Sequence, residues 1–153
     1  MFFNLLSSII LTLPVANLEF GDSYSFEEHS KKVHVIELYF NSCPACNDNA
    51  PNVHEYFKEV EGHSGIQVLD VGIDSKDSDY RSWLSKHGSL YPVLKDSGRK
   101  LAKLTNTRLY PTTVVLDCQG EFIFKSVGVW TEATKKSLNE AVQSALSKCQ
   151  ETP

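Results

Sequence analysis

Two cysteines three residues apart, Cys43-Pro44-Ala45-Cys46, stand where an apolar run ends and a helical pattern begins. The run is Val33-His34-Val35-Ile36-Glu37-Leu38-Tyr39-Phe40. It is nearly continuous in apolar, β-prone residues, as expected for a strand covered on both faces. After Cys46 the apolar positions fall at Ala50, Val53, Phe57 and Val60, in steps of four, three, four and three. That spacing draws one face of a helix, and the cysteines extend it backwards. Both sulfurs are thus expected on one side, Cys43 at the exposed tip and Cys46 nearer the core. A doubly covered strand that feeds a helix directly restricts the chain to an α/β architecture.

The rest of the chain continues the alternation. Residues 17–32 are polar and irregular, with a short helix expected near Ser25 to Lys32. Ile66 to Ile73 reads as a second strand. Asp77 to His87 reads as a helix stopped by Gly88, and Tyr91 to Leu94 as a short extended piece. Leu101 to Leu104 is a further helical turn. Thr112 to Asp117 is a strand that turns at Gln119-Gly120 into a partner ending at Val127. The last helix starts at a Thr131 cap and carries Leu138, Val142, Ala145, Leu146 and Cys149 on one side. The order predicts a parallel sheet with helices on both faces and an antiparallel terminal hairpin.

At 153 residues the chain is expected to form one domain with a real core. A net charge of −4 offers no basic surface, which argues against nucleic acid as a partner. The segment from Phe2 to Ala16 is apolar and carries no charged side chain. It is too short to span a bilayer comfortably and reads as a signal peptide or anchor over residues 1–16, Ala16 being the last residue before cleavage. Against that reading, no Lys or Arg precedes it and Pro14 sits near the cut. A buried N-terminal strand is the alternative. With export, residues 17–153 form the working domain, in an oxidising compartment.

Thiol–disulfide exchange needs a thiolate and a second thiol to resolve the mixed disulfide. Cys43 is the expected nucleophile, because a helix N-terminus stabilises negative sulfur. Pro44 suits the first helical position. A zinc site would need about four ligands, and no second CxxC or paired histidine motif supplies them. No metal and no cofactor beyond the cysteines is therefore expected. Asn41, Asn47 and Asn49 are neutral and Asp48 is negative, so a Cys43 pKa of roughly 6.5–7.5 is expected, favouring a reductant over a strong oxidant. Glu37, the one acid in an apolar strand, is either buried, with a raised pKa and able to accept the Cys46 proton through water, or turned to solvent at a strand irregularity. Asp70 either faces it from the next strand or points to solvent. Cys118 and Cys149 either form a structural disulfide or are two separate buried thiols. His29, His34, His54, His63 and His87 share no ligand spacing and read as surface or satisfied polar residues.

With these residues in place, the chain resembles the thioredoxin superfamily over about residues 33 to 149. The resemblance rests on Glu37, Cys43-Pro44-Ala45-Cys46, Pro51 in the following helix, Tyr110-Pro111-Thr112 before a strand, and Val127-Gly128 at the end of the hairpin. Within it, the stretches Trp83 to Gly88, Tyr91 to Asp96 and Pro111 to Asp117 are similar to the helix-plus-strand insertion of exported TlpA-like reductases. The resemblance implies a thioredoxin-like mixed sheet of four to five strands. It also implies a cis Pro111 and a substrate groove of Pro44, Ala45, Tyr110 and Pro111, with Pro51 kinking the helix. It further implies a monomeric protein disulfide oxidoreductase recycled by an upstream thiol reductant, for which a membrane protein is one candidate. Departures are Ser42, where a tryptophan usually precedes the first cysteine, and Asp70, where a lysine is common. The competing readings are a disulfide-forming oxidase, and a Cu(I)- or polypeptide-binding module on the same fold.

Overall fold

A computed structural model describes residues 15–17, 23–26, 28–88 and 90–151. The expected signal or anchor segment lies almost wholly outside the described residues. Among the described residues, twelve elements follow one another. The strands are β1 (Val15–Asn17), β2 (Ser23–Tyr24), β3 (Val33–Tyr39), β4 (Ile66–Gly72), β5 (Val93–Lys95), β6 (Thr112–Leu116) and β7 (Phe122–Val127). The α-helices are α1 (Pro44–Val60), α2 (Asp77–His87), α3 (Lys100–Leu104) and α4 (Glu132–Glu151), and a 3₁₀ turn spans Ser97–Arg99. The strands form one sheet in the order β2-β1-β5-β4-β3-β6-β7. Strands β3, β4 and β5 are parallel, while β6 and β7 add antiparallel. The expected five-stranded core is thus β3 to β7, and two short strands extend its far edge. Residues 28–32 turn rather than forming the short helix expected there, since neither face of that segment repeats an apolar pattern.

Strand β3 sits at the centre, and every one of its residues is buried. Side-chain alternation divides it. Ile36 and Leu38 join Leu69, Val71, Val114, Leu116 and α3's Leu101 on one face. Val33 and Val35 meet α1 and α4 through Val53, Tyr56, Leu138 and Val142 on the other. Burying each such side chain contributes about 1.5–3 kcal/mol. Nearer the C-terminal end of β3, Tyr39 packs with Cys43, Cys46, Ala50 and α2's Tyr80 and Trp83. The sheet thereby presents the start of α1 at the carboxyl ends of the parallel strands, where α/β folds place their chemistry.

Helix α1 runs through Pro51 without a break. Its ring faces solvent, which spares the buried stripe. Helix α4 begins as expected, with the Thr134 N–H donating to Thr131 Oγ1 at 3.1 Å.

Cys118, just after β6, is bonded to Cys149 near the end of α4, 31 residues away. The cross-link ties the hairpin turn to the last helix, far from the other cysteine pair. Closing a loop of that length contributes about 3–4 kcal/mol in the chain-entropy description. The double variant Cys118→Ala/Cys149→Ala is expected to lose about that much in urea unfolding, roughly 10 °C in Tm. An unchanged urea midpoint would show that the cross-link constrains nothing.

Candidate active site

Helix α1 starts because Cys43 supplies its cap. The residue has extended backbone angles, φ −77° and ψ 113°. Its Sγ accepts the Cys46 backbone N–H at 3.1 Å. Pro44 follows at the first helical position, where its missing N–H costs nothing. No acidic side chain occupies the first turn to offset the helix dipole at the sulfur. One turn separates the cysteines, and they are bonded to one another. Pro44 is exposed and Ala45 half-buried, so these two form the outer rim.

The exposed tip expected for Cys43 is not there. Cys43 keeps 3 % of its surface and Cys46 2 %. Three things account for this. The bond to Cys46 draws Sγ inward, the backbone of Tyr110 brings its carbonyl oxygen to 3.7 Å from Cys43 Sγ, and half-buried Phe40 and Tyr110 meet edge-to-face at 5.7 Å beside the pair. The Tyr110–Pro111 peptide bond is cis, and Pro111 is itself buried. Strand order and the hairpin decide this approach: Gly128 N–H donates to Pro111 O at 2.8 Å and fixes the loop against β7. Around the opening, Leu109 is 67 % exposed and Val127 51 %.

The turn before Cys43 is held by Asn47. Its amide donates to Asn41 O at 2.9 Å and to Cys43 O at 2.8 Å, and its Oδ1 accepts from His87 Nε2 at 2.8 Å. Lys86 Nζ also donates to Asn41 O, at 3.1 Å. Helix α2 therefore brings a histidine and a lysine to a turn that carries no cation in sequence. Burial lowers the His87 pKa, and the Lys86 charge lowers it further, which favours the neutral ring.

Glu37, on β3, is 4 % exposed. Both of its oxygens accept: Oε1 from Asn49 Nδ2 at 2.7 Å and Oε2 from Thr113 Oγ1 at 2.6 Å. Asn49 follows Cys46 by three residues, so the same helix face that presents the sulfur grips the acid. Trp130 locks both donors. Its Nε1 donates to Thr113 Oγ1 at 2.7 Å and its backbone N–H to Asn49 Oδ1 at 2.8 Å. Asp70 sits directly across from Glu37 in the parallel register and is 2 % exposed. Its Oδ2 accepts from Trp83 Nε1 at 3.0 Å. The Tyr91 hydroxyl faces Asp70 and lowers its pKa, although among the described residues neither that hydroxyl nor Asp70 Oδ1 reaches a hydrogen-bond partner. Burial pushes Glu37 up to about 8, opposed by the Thr113 and Asn49 bonds and assisted by Asp70. Burial likewise pushes Asp70 up to about 7.

The site thus places a disulfide at a helix N-terminus, a carbonyl beside the outer sulfur, and a buried carboxyl held by Asn49, one helical turn after Cys46. Among the described residues no group of three or more His, Cys, Asp or Glu is placed to hold a metal ion. Asn49, Thr113 and Trp130 escaped the sequence reading. One signal was available: Asn49 is a polar residue beside Ala50 on the stripe that α1 buries. Trp130 lies outside any periodic segment and gave none.

Comparison with known proteins agrees with this geometry. The AhpC/TSA family pattern matches residues 10–125. The thiol-disulfide oxidoreductase ResA of Halalkalibacterium halodurans is 20% identical over 123 residues, which are 80% of this chain and 69% of that protein. Among solved structures, the thioredoxin domain of a thiol-disulfide oxidoreductase from Bacteroides vulgatus superposes with a TM-score of 0.73 at 15% identity, covering 85% of this chain and 92% of that one. The exposed lipoprotein thioredoxin of Streptococcus pneumoniae superposes at 0.72 with 21% identity, covering 84% and 98%. At such identities the structural likeness carries the fold.

Proposed function

We propose that this chain, which belongs to the AhpC/TSA family within the thioredoxin superfamily, is a reductant of protein disulfides in an extracytoplasmic compartment. The coarser part is plain: it is a thiol–disulfide oxidoreductase of the ResA type, with Cys43 and Cys46 as its redox pair. The observation that carries the proposal is the capping geometry, in which the Cys46 N–H points at Cys43 Sγ. When the pair is reduced, that N–H and the helix N-terminus hold Cys43 as thiolate.

Reduction of a client then proceeds in two exchanges. Cys43 thiolate attacks a client sulfur; the new S–S bond forms as the client's own breaks, and one client thiolate departs. Cys46 next gives its proton to Glu37 and attacks Cys43 Sγ. The internal disulfide forms, the mixed one breaks, and the second client thiolate leaves. Two electrons pass from this protein to the client, and its own sulfurs suffice as the redox group. An upstream thiol reductant restores them. The direction is supported by what surrounds Cys43: one backbone N–H and a helix end, with Lys86 and His87 directed at backbone and side-chain oxygens of the adjoining turn. A strong oxidant stabilises its thiolate much further. Export is supported by the apolar N-terminal segment and by the bonded Cys118–Cys149 pair.

Redox titration against glutathione or dithiothreitol tests the direction. A midpoint nearer the thioredoxin value of about −270 mV supports a reductant, and one near about −120 mV makes the protein an oxidase.

A further inference from the structure

Two histidines and two lysines line one cleft that thiol–disulfide exchange leaves unused. It lies between α1 and α2 and measures about 420 Å³. Helix α1 contributes Pro51, His54, Glu55 and Lys58, and α2 contributes Lys86 and His87. The α1 residues are spaced by three and four, so they share one helix face. The two imidazole rings meet edge to face with centroids 6.3 Å apart. Both histidines are half-buried, and both lysines are exposed.

Hydrogen bonding fixes which nitrogen of His87 is free. Asn47 spends its amide N–H groups on Asn41 O and Cys43 O, so the atom it turns to His87 is the acceptor Oδ1. His87 Nε2 therefore carries the hydrogen of that 2.8 Å bond. In the neutral ring Nδ1 keeps its lone pair. A proton added there creates a second donor and leaves the bond to Asn47 intact.

The charge around the cleft is one-sided. The ion pairs of the described residues involve Lys95 and Lys135, not Lys58 or Lys86. Glu55, the one acid of the lining, has its Oε2 3.9 Å from Lys135 of α4. Asp74 lies within reach of the Lys86 charge. Tyr91 packs on His54 with ring centroids 5.6 Å apart, and burial with the nearby carboxyls holds its hydroxyl neutral. Burial lowers the pKa of both histidines. Lys58 lowers His54 further, and Lys86 and His54 lower His87. The carboxyl end of α2 opposes an anion with about half a negative charge, less than either lysine supplies. The same lysines repel a metal cation from the imidazoles.

We propose that this cleft binds a phosphate-type oxyanion, held by Lys58 and Lys86 and by protonated His54 and His87. A tetrahedral dianion has acceptors for all four side chains and supplies the charge that lets neighbouring imidazoles protonate. The cleft has room for more than the phosphate group, so free phosphate and a lipid headgroup present the same chemistry to it.

The test follows the ring signals of the five histidines by NMR on the full chain as sulfate or inorganic phosphate is added, with chloride holding ionic strength constant. Sulfate stays a dianion across the pH range, so any pH dependence of its binding belongs to the protein. His54 and His87 are expected to shift along one saturable curve while His29, His34 and His63 stay in place. Sulfate affinity is expected to rise on the order of tenfold from pH 8 to pH 6, because binding takes up protons. Lys58→Gln and Lys86→Gln are each expected to weaken it about two- to fivefold. Sedimentation with phosphatidylcholine vesicles, with and without phosphatidic acid, separates the sources. Retention by phosphatidic acid that the double lysine variant loses supports a headgroup, and saturable phosphate binding without retention supports the free anion. Five ring signals moving together without saturation overturn the proposal, and that outcome needs no variant to fold. A sulfate affinity indifferent to pH overturns it as well, because the imidazoles then hold nothing.

Discussion

Cys46→Ser is expected to stop turnover with the client still attached to Cys43. Cys43 would attack as before, since its capping contact comes from the backbone N–H of residue 46 and survives the substitution. The mixed disulfide would then persist, because serine cannot displace the client sulfur. Cys43→Ser removes the nucleophile, so nothing should be attached. Either change is expected to lower insulin reduction by on the order of 10⁴-fold. Non-reducing mass analysis separates the two, showing an adduct for Cys46→Ser alone. Full activity in Cys43→Ser would end the assignment. So would an adduct in Cys43→Ser, which would make Cys46 the attacking sulfur. The burial of both sulfurs sharpens the experiment. Phe40 and Tyr110 both pack against the buried cluster that contains Cys43, so a client has to displace side chains there before it meets the sulfur.

Glu37→Gln is the second large change, and it has two consequences of opposite sign. Removing the base is expected to slow resolution of the mixed disulfide by about 10²-fold, seen in single-turnover kinetics as accumulation of the adduct. Stability should move the other way. The folded pKa of Glu37 is raised to about 8 from 4.5. Between those values the native state keeps a proton that the unfolded chain has released. Stability is therefore fully present below about pH 4.5 and lost as pH rises through about 8. Glutamine does not titrate, and its carbonyl still accepts from Asn49. The variant's Tm is expected to exceed that of wild type at pH 8.5 and to approach or fall below it at pH 4. Parallel Tm curves across that range would show that Glu37 is not held in its neutral form. A buried carboxyl kept at a cost to the fold is the trade expected of the base proposed for Glu37.

Burial of an acid in the middle of a sheet also explains why this region is so heavily braced. Trp130 enters the core just before α4 and fixes both donors to Glu37. Trp83 stacks on Tyr39 with ring centroids 4.0 Å apart and turns its N–H to Asp70. Each tryptophan combines a large apolar body with a single donor, which is what a buried carboxyl beside apolar packing requires. The two indoles thus join the packing of the core to the protonation of the site.

Much of this arrangement was legible in the chain. The apolar run of β3, the stripe of α1 and the cysteine at their junction are local facts. Alternation of covered strands and helices fixes the α/β class, and a period near 3.6 places both sulfurs on one helix face, because backbone geometry alone sets those repeats. What only the tertiary structure decided are the contacts between residues far apart in sequence. Phe40 meeting Tyr110 over Cys43, Asn49, Thr113 and Trp130 closing on Glu37, Asp70 in register with it, and Cys118 reaching Cys149 all depend on strand register and on how helices dock. No local propensity encodes a register, since a shift of one residue would exchange every side chain between the two faces of the sheet. The identity of the redox pair was therefore written in the sequence, whereas its depth and the burial of the two carboxyls were set by packing.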